Sequence, residues 1–316
     1  MEKLSINELN SLNPLQVLED ERAKTRFLAL CKQRKLDEEE AKSFYEAESW
    51  NFSKIIKESQ PLQQCTGFSV YGCLLDIATM GLSLENVSQP LLYVMYRGVN
   101  LGSNKWEKRA YLEISPYGEL ALRMQTGQLL YADSPVIVYE GDIFKPIVNE
   151  KGQKICIYEA AIPRKSKKII GSFIRLTRPD SSFDFSYMLP EDIHRLRVYS
   201  HRQNSRGKND NKDHSNALYT SNDGQIDPGF LSAKTIKHAF KTFPKIRMAI
   251  KFSKLQEEEI QPIDYGLSEE VPPGMTETRT APVYEQPEEH AENDPFGGAP
   301  VNQPQTVQVE DDDDVF

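Results

Sequence analysis

Cysteine is scarce in this 316-residue chain: Cys31, Cys65, Cys73 and Cys156 form no CxxC pair and lie at no metal-ligand spacing from the five histidines. That usage supports neither a disulfide framework nor a cysteine–histidine metal site, and reads as reduced, mostly buried thiols in a cytoplasmic protein. No apolar run approaches the roughly 18 residues of a membrane span, and the polar, mixed-charge start lacks a signal-peptide pattern. The phosphate loop G-x-x-x-x-G-K-[ST] is missing and no G-x-G-x-x-G follows a strand pattern, so nucleotide hydrolysis and dinucleotide binding lose their usual supports. Neither H-E-x-x-H nor G-x-S-x-G occurs. His194 and His201, seven apart on one expected helix, have no further ligand at suitable spacing and read as surface residues.

Positive charge is also short overall, with 38 Lys and Arg against 47 Asp and Glu, but the deficit is local. Residues 261–316 hold 14 acidic residues and one Arg, a net of −13, so residues 1–260 carry +4. Within residues 163–255 there are 19 Lys and Arg against 8 Asp and Glu. A basic body with an acidic tail follows, which keeps nucleic acid open as a partner.

The periodicity predicts helices first, then strands and helices mixed, and last a disordered acidic tail. Residues 1–64 read as an N-terminal helical region with no evident chemistry. Residues 67–80 continue with Val70, Cys73, Leu74, Ile77 and Met80 at helical spacing, and Gly81 as terminator. From residue 90 the period changes. Residues 91–98 and 108–115 read as two strands of a hairpin joined by a turn rich in Gly, Asn and Ser, with Arg97, Lys105, Lys108 and Arg109 near its open end and Trp106 and Tyr111 among them. A short helix begins at Pro116 and ends at Gly127. Strand-like runs follow at 135–141, 154–162, 168–176 and 182–189, the last with Phe183, Phe185, Tyr187 and Leu189 alternating onto one half-buried side. Residues 190–203 read as a helix by their charges, and residues 204–229, nearly without apolar content, as a mobile loop. After residue 255 the sequence is too poor in core-forming residues to fold. Core (65–255, with its flexible loop 204–229) and tail (256–316) are thereby separated.

The stretch 232–250 carries the second basic feature. On a helix of about 100° per residue, Ile236, Ala239, Phe240, Phe243, Ile246 and Ile250 share one face, while Lys234, Lys237, Lys241 and Lys245 gather on the other. Pro244 falls in the interior and predicts a kink, which would turn Arg247 outward. Single-stranded nucleic acid asks for such a mixture, cations for phosphates and π-faces for unstacked bases. The candidate DNA contacts are therefore Arg97, Lys105, Trp106, Lys108, Arg109, Tyr117, Arg123, Lys234, Lys237, Lys241, Lys245 and Arg247. The enzymatic alternative is a metal-dependent nuclease built from Glu113, Glu119, Glu140 and Asp142, which requires those scattered carboxylates to converge.

Several blocks, in order, resemble the RecT family of phage and prophage single-strand annealing proteins. They are MGLSL at 80–84, QPLLYVMY at 89–96, LEISPYGELAL at 112–122, TGQL at 126–129, VIVYEGDIF at 136–144, MLPEDI at 188–193 and AKTIKHAFKTFP at 233–244. The resemblance covers about residues 65–255. It departs at Tyr117, where the family usually has arginine, in a Lys-Thr helix one residue shorter, and in the longer 204–229 loop. It implies an α+β fold, a small antiparallel β-sheet packed with helices similar to the annealing core of Rad52-like proteins, and an ATP-independent protein that coats single-stranded DNA as a ring or helical oligomer. Such a protein pairs its strand with the complement into an annealed duplex beside a partner exonuclease, in the cytoplasm of a bacterial host. No cofactor is implied, with Mg²⁺ at most a modulator of DNA binding, and no membrane.

The last six residues, Asp311, Asp312, Asp313, Asp314, Val315 and Phe316, are similar to the acidic tip of bacterial single-stranded-DNA-binding proteins. A charge run, a ring and a terminal carboxylate together offer a basic pocket three handles. The tip is expected either to dock on proteins that recognise such tips, making the chain an adaptor, or to compete with DNA for the chain's own basic surface.

Overall fold

The computed structural model describes residues 4–85, 87–102, 105–150, 152–205, 212–244, 266–268 and 278–280. Capping side chains set the start of each early helix. α1 (Ile6–Ser11) begins at Ser5, whose hydroxyl accepts from the Glu8 N–H while the Glu8 carboxylate accepts from the Ser5 N–H. α2 (Pro14–Glu19) repeats the device with Asn13 and Gln16, and α4 (Glu38–Glu58) with Asp37 and Glu40, while Asp20 caps α3 (Glu21–Gln33). The one-turn α5 (Gln60–Gln63) leads to α6 (Gly67–Met80), in which every residue but Thr79 is buried. A helix apolar all round belongs at the centre of a core. α6 lies there against α1, α2, α3 and the hairpin that follows, and Gly81 ends it at φ 64°. Residues on both sides of position 64, from Leu4 to Leu122, form one apolar cluster.

β1 (Leu92–Asn100) and β2 (Trp106–Ile114) pair antiparallel from Leu92↔Ile114 to Asn100↔Trp106, and β9 (Thr278–Thr280) adds a short parallel strand beside β2. α7 (Pro116–Gln125) follows, with Ser115 as its cap and Pro116 in its first turn. Gly118 is needed there, because a Cβ at this position would lie 2.0 Å from the Leu91 carbonyl oxygen.

The second sheet is centred on β7 (Ile169–Thr177). β3 (Tyr131–Ala132) and β4 (Val136–Tyr139) pair with it, as does β8 (Phe183–Met188). β5 (Ile143–Val148) and β6 (Lys154–Glu159) form a separate two-stranded ribbon. Pro146 lies inside β5 and is tolerated there because β5 is an edge strand. α8 (Pro190–Asn204), a 3₁₀ turn (Ala217–Tyr219) and α9 (Pro228–Ala239) complete the described elements. α9 covers one face of the sheet: Thr235 and Ser172 share a hydrogen bond of 2.6 Å, and Ile174 and Leu176 pack with Ile236, Ala239 and Phe240. On the other face Phe173 stacks on Phe144 and meets the edge of Tyr158, both from the ribbon.

Along β8 Phe183, Phe185 and Tyr187 share one side as their alternation predicts, the side opposite α9, with Phe185 and Tyr187 half-buried, while Met188 on the other side is fully buried. Two expectations are corrected. Among the described residues of 204–229, Tyr219 and Ile226 are buried with Met188, Leu196 and Leu231, so this stretch is packed at its few apolar positions. α9 ends at Ala239 and turns at Phe240, so Pro244 stands outside the helix rather than kinking it. No described helix is long and apolar enough to cross a membrane.

Candidate nucleic-acid interface

The β1–β2 hairpin is buried at its base and exposed at its tip. Leu92, Val94, Ala110, Leu112 and Ile114 enter the core, and beyond them the same face continues outward as Tyr96, Lys108, Gly98 and Trp106. The Trp106 ring lies over Gly98, 3.4 Å from where a Cβ would stand, and is 54% exposed. Lys108 donates to Gln64 Oε1 at 2.7 Å, and its ammonium stands 6.0 Å from the Tyr96 ring centre. Lys105 is exposed in the turn, where its N–H donates to the Gly102 carbonyl and its own carbonyl accepts from Leu101.

The opposite face of the hairpin carries Arg97, Arg109 and Tyr111. The two arginines are directly cross-strand neighbours, an arrangement that repels. It is relieved locally: Arg109 donates to Glu107 at 2.5 Å, and Arg97 stands 5.9 Å from the centre of the Tyr111 ring. All of these cations lie toward the turn end of the hairpin, which the turn closes, rather than at an open end.

Arg123 and Lys237 behave differently, and their expected places on a DNA-facing surface are corrected. Arg123 is 1% exposed. Its guanidinium donates to Glu119 at 2.5 Å, to Gln128 and to the Pro244 carbonyl at 3.1 Å, and lies 4.5 Å from the centre of the Phe240 ring. Lys237 is 5% exposed, with its ammonium 3.4 Å from the Ile114 carbonyl and 3.6 Å from Glu119. Burial pulls the pKa of Lys237 down, and the Glu119 charge works against that shift. Burial likewise lowers Arg123, opposed by its bond to Glu119. The physical reason is α7. It supplies an anion, Glu119, that roofs the side of α9 expected to face solvent.

Of the other candidates, Tyr117 is half-buried against the cluster of Leu129, Ile174 and Ile236. Lys234 is partly buried with its ammonium 4.6 Å from the Phe230 ring centre, and Lys241 is exposed just past the end of α9. Lys245, Arg247 and the tip residues 311–316 lie outside the described residues. Lys237 sits at the base of β2, and Trp106 at its tip is roughly 26 Å away along the strand. The hairpin cations and those of α9 are therefore two separate groups.

A third basic group escaped the sequence reading. Arg164, Lys165, Lys167 and Lys168, all exposed, occupy the loop between β6 and β7. Arg164 lies 4.3 Å from the Tyr139 ring centre and Lys168 pairs with Glu140 at 2.9 Å, while Lys165 and Lys167 have no ion-pair partner among the described residues. Four cations in five positions between two strands was the signal that could have found it.

The carboxylates of the nuclease alternative do not converge. Glu119 belongs to the buried network, Glu140 pairs with Lys168, and Asp142 accepts from the N–H groups of Tyr139 and Ala161. Burial would raise the Asp142 pKa, but these hydrogen bonds and that from Tyr158 outweigh it and hold the carboxyl below its usual value. Among the described residues no group of three or more His, Cys, Asp or Glu is placed to hold a metal ion.

Compared with known families, residues 49–225 match the model of the RecT family, a span that runs from within α4 to just before α9. No curated protein matches the chain.

Proposed function

From the premise that the chain belongs to the RecT family, whose members carry out single-strand annealing in recombination, we propose that it coats single-stranded DNA as an oligomer and pairs it with its complement without ATP. The observation that carries this reading to particular residues is the exposed Trp106 flanked by Lys105 and Lys108 at the hairpin tip. A flat ring open to solvent beside ammonium groups suits a stacked base and its phosphates, a contact worth about 1–3 kcal/mol per base. Lys241 and the 164–168 loop are the further places where phosphates would be met. Catalysis and a cofactor play no part in this reading, and Mg²⁺ acts at most on DNA affinity. The protein would work in a bacterial cytoplasm beside a partner exonuclease.

Affinity measured across a salt series tests the reading: it should fall steeply, since each neutralised phosphate contributes about −0.7 to the slope on single strands. Equal affinity for single- and double-stranded DNA, with a flat salt dependence, would sink it. For the tip, deletion of residues 311–316 separates the two roles. Tighter DNA binding supports competition, unchanged DNA binding with loss of a tip-recognising partner supports docking, and no change in either removes both.

A further inference from the structure

A cavity of about 200 Å³ opens between the start of β7, the first two turns of α8 and the stretch 219–226. Ile169, Ile193, Tyr219 and Ile226 give it an apolar lining, and His194, Arg197 and Gln225 a polar one. Sites for small organic ligands usually measure about 300–1,000 Å³, so this one suits a single large side chain. Gln225 ties the cavity to the basic loop before β7. Its Oε1 accepts from the Ile169 N–H at 2.7 Å, and its Nε2 donates to the Lys167 carbonyl at 3.4 Å. An apolar hole and the four cations of that loop, Arg164, Lys165, Lys167 and Lys168, are thereby neighbours.

The chain itself holds a segment with complementary features. Asp311 to Asp314, followed by Val315 and Phe316, place a run of anions directly before an aromatic ring. These six residues lie outside the described ones. Residues 281–310 separate them from Thr280 at the end of β9. Thirty residues can span up to about 100 Å, so reach sets no limit. A segment tethered in this way acts at an effective concentration of about 1 mM, and a weak contact then suffices.

The surroundings of the cavity also set a direction. Glu191 and Asp223, both exposed, border it on α8 and on the 219–226 stretch, and Arg197 is already paired with Asp213 at 2.5 Å. Lys165 and Lys167 have no ion-pair partner among the described residues. Aspartates next to a docked ring would therefore run along the loop and not along α8.

We infer that Phe316 of the chain's own tip seats in this cavity while Asp311 to Asp314 cover Lys165 and Lys167. The inference rests on the reading in which the tip competes with DNA, and it gives that competition a place. Docked aspartates occupy loop cations that would otherwise meet phosphates. A tip docked about two-thirds of the time lowers apparent DNA affinity by up to about threefold.

The full chain carrying Phe316→p-benzoylphenylalanine, irradiated without DNA at low micromolar concentration, tests the seat. Cross-links mapped by mass spectrometry should fall within residues 190–197 or 219–226 of the same chain. His194→Glu, which sets an anion at the cavity, should cut their yield about threefold or more. Cross-links to other segments overturn the inference. So does a product of twice the chain's mass, which would give the cavity to a second copy's tip, and so does the lack of any product, which would leave it to a different protein. Affinity for a dT oligonucleotide tests the competition with a natural ring. Phe316→Ala should tighten binding about two- to threefold in the wild-type background and leave it unchanged in His194→Glu, where the tip is already released. An equal gain in both backgrounds, or none in either, overturns the inference. A full chain that binds no single-stranded DNA would sink the annealing reading instead, and the cross-link map would still decide where the tip sits.

Discussion

The hairpin tip and the α7–α9 junction are alike in composition and opposite in surroundings. Each brings cations and aromatic rings together: Lys105, Trp106 and Lys108 at the tip, Arg123, Lys237, Phe240 and Phe243 at the junction. At the junction the cations share Glu119 and are shut from water, and the Arg123 guanidinium stands over Phe240 and Phe243 as a wall of the core. At the tip the ring is open, and the strands have run past the last buried pair. A basic-aromatic mixture therefore signals nucleic acid only where no anion of the same chain has claimed the cations first.

Substitutions sharpen this contrast, beginning with the largest effect. Arg123→Ala leaves the buried Glu119 with Lys237 alone and Gln128 without its donor, and should lower stability by about 3 kcal/mol, measured by urea unfolding. Arg123→Lys should recover little of that, since a lysine cannot reach Glu119, Gln128 and Pro244 together. Trp106→Ala should weaken single-stranded DNA binding by about 1–3 kcal/mol while leaving the unfolding midpoint in place. An unfolding shift with unchanged affinity would reverse the roles assigned to the two regions. Lys105→Ala and Lys241→Ala should each flatten the salt dependence of DNA affinity by about 0.7, and a combined Lys165→Ala and Lys167→Ala variant reports in the same way on the loop before β7. Lys237→Ala should leave that slope alone and lower the unfolding midpoint. The smallest effect concerns thiols. Burial pushes Cys31 and Cys156 up to about 11 and Cys65 to about 12, and it raises Cys73 well above the usual thiol value. Maleimide labelling of the folded chain should be slow throughout and start at Cys156, the one cysteine that is not buried.

Much of the fold could be read from local pattern. The two hairpin strands, the helix opening at Pro116 and the strands at β4, β6, β7 and β8 all follow from alternation, capping and turn residues within a few positions of each element. β5 was hidden because Pro146 argues against a strand unless one knows that it lies at an edge. The paired state of Lys237 was hidden for a different reason. Its anion, Glu119, is 118 residues earlier, and no helical wheel of α9 can show that α7 will cover it. The end of α9 at Ala239 had the same effect on Lys241, whose position no longer follows the phase of the helix. The candidate site was thus legible where it depends on the hairpin alone and illegible where two distant segments meet.

The most direct test of the account is the rate at which complementary oligonucleotides anneal, followed without ATP for the wild-type chain and for a Trp106→Ala, Lys105→Ala variant of unchanged unfolding midpoint. The account predicts acceleration by the wild type that is largely lost in the variant. A wild-type chain that gives no acceleration, or a variant that anneals as fast as wild type, would contradict it.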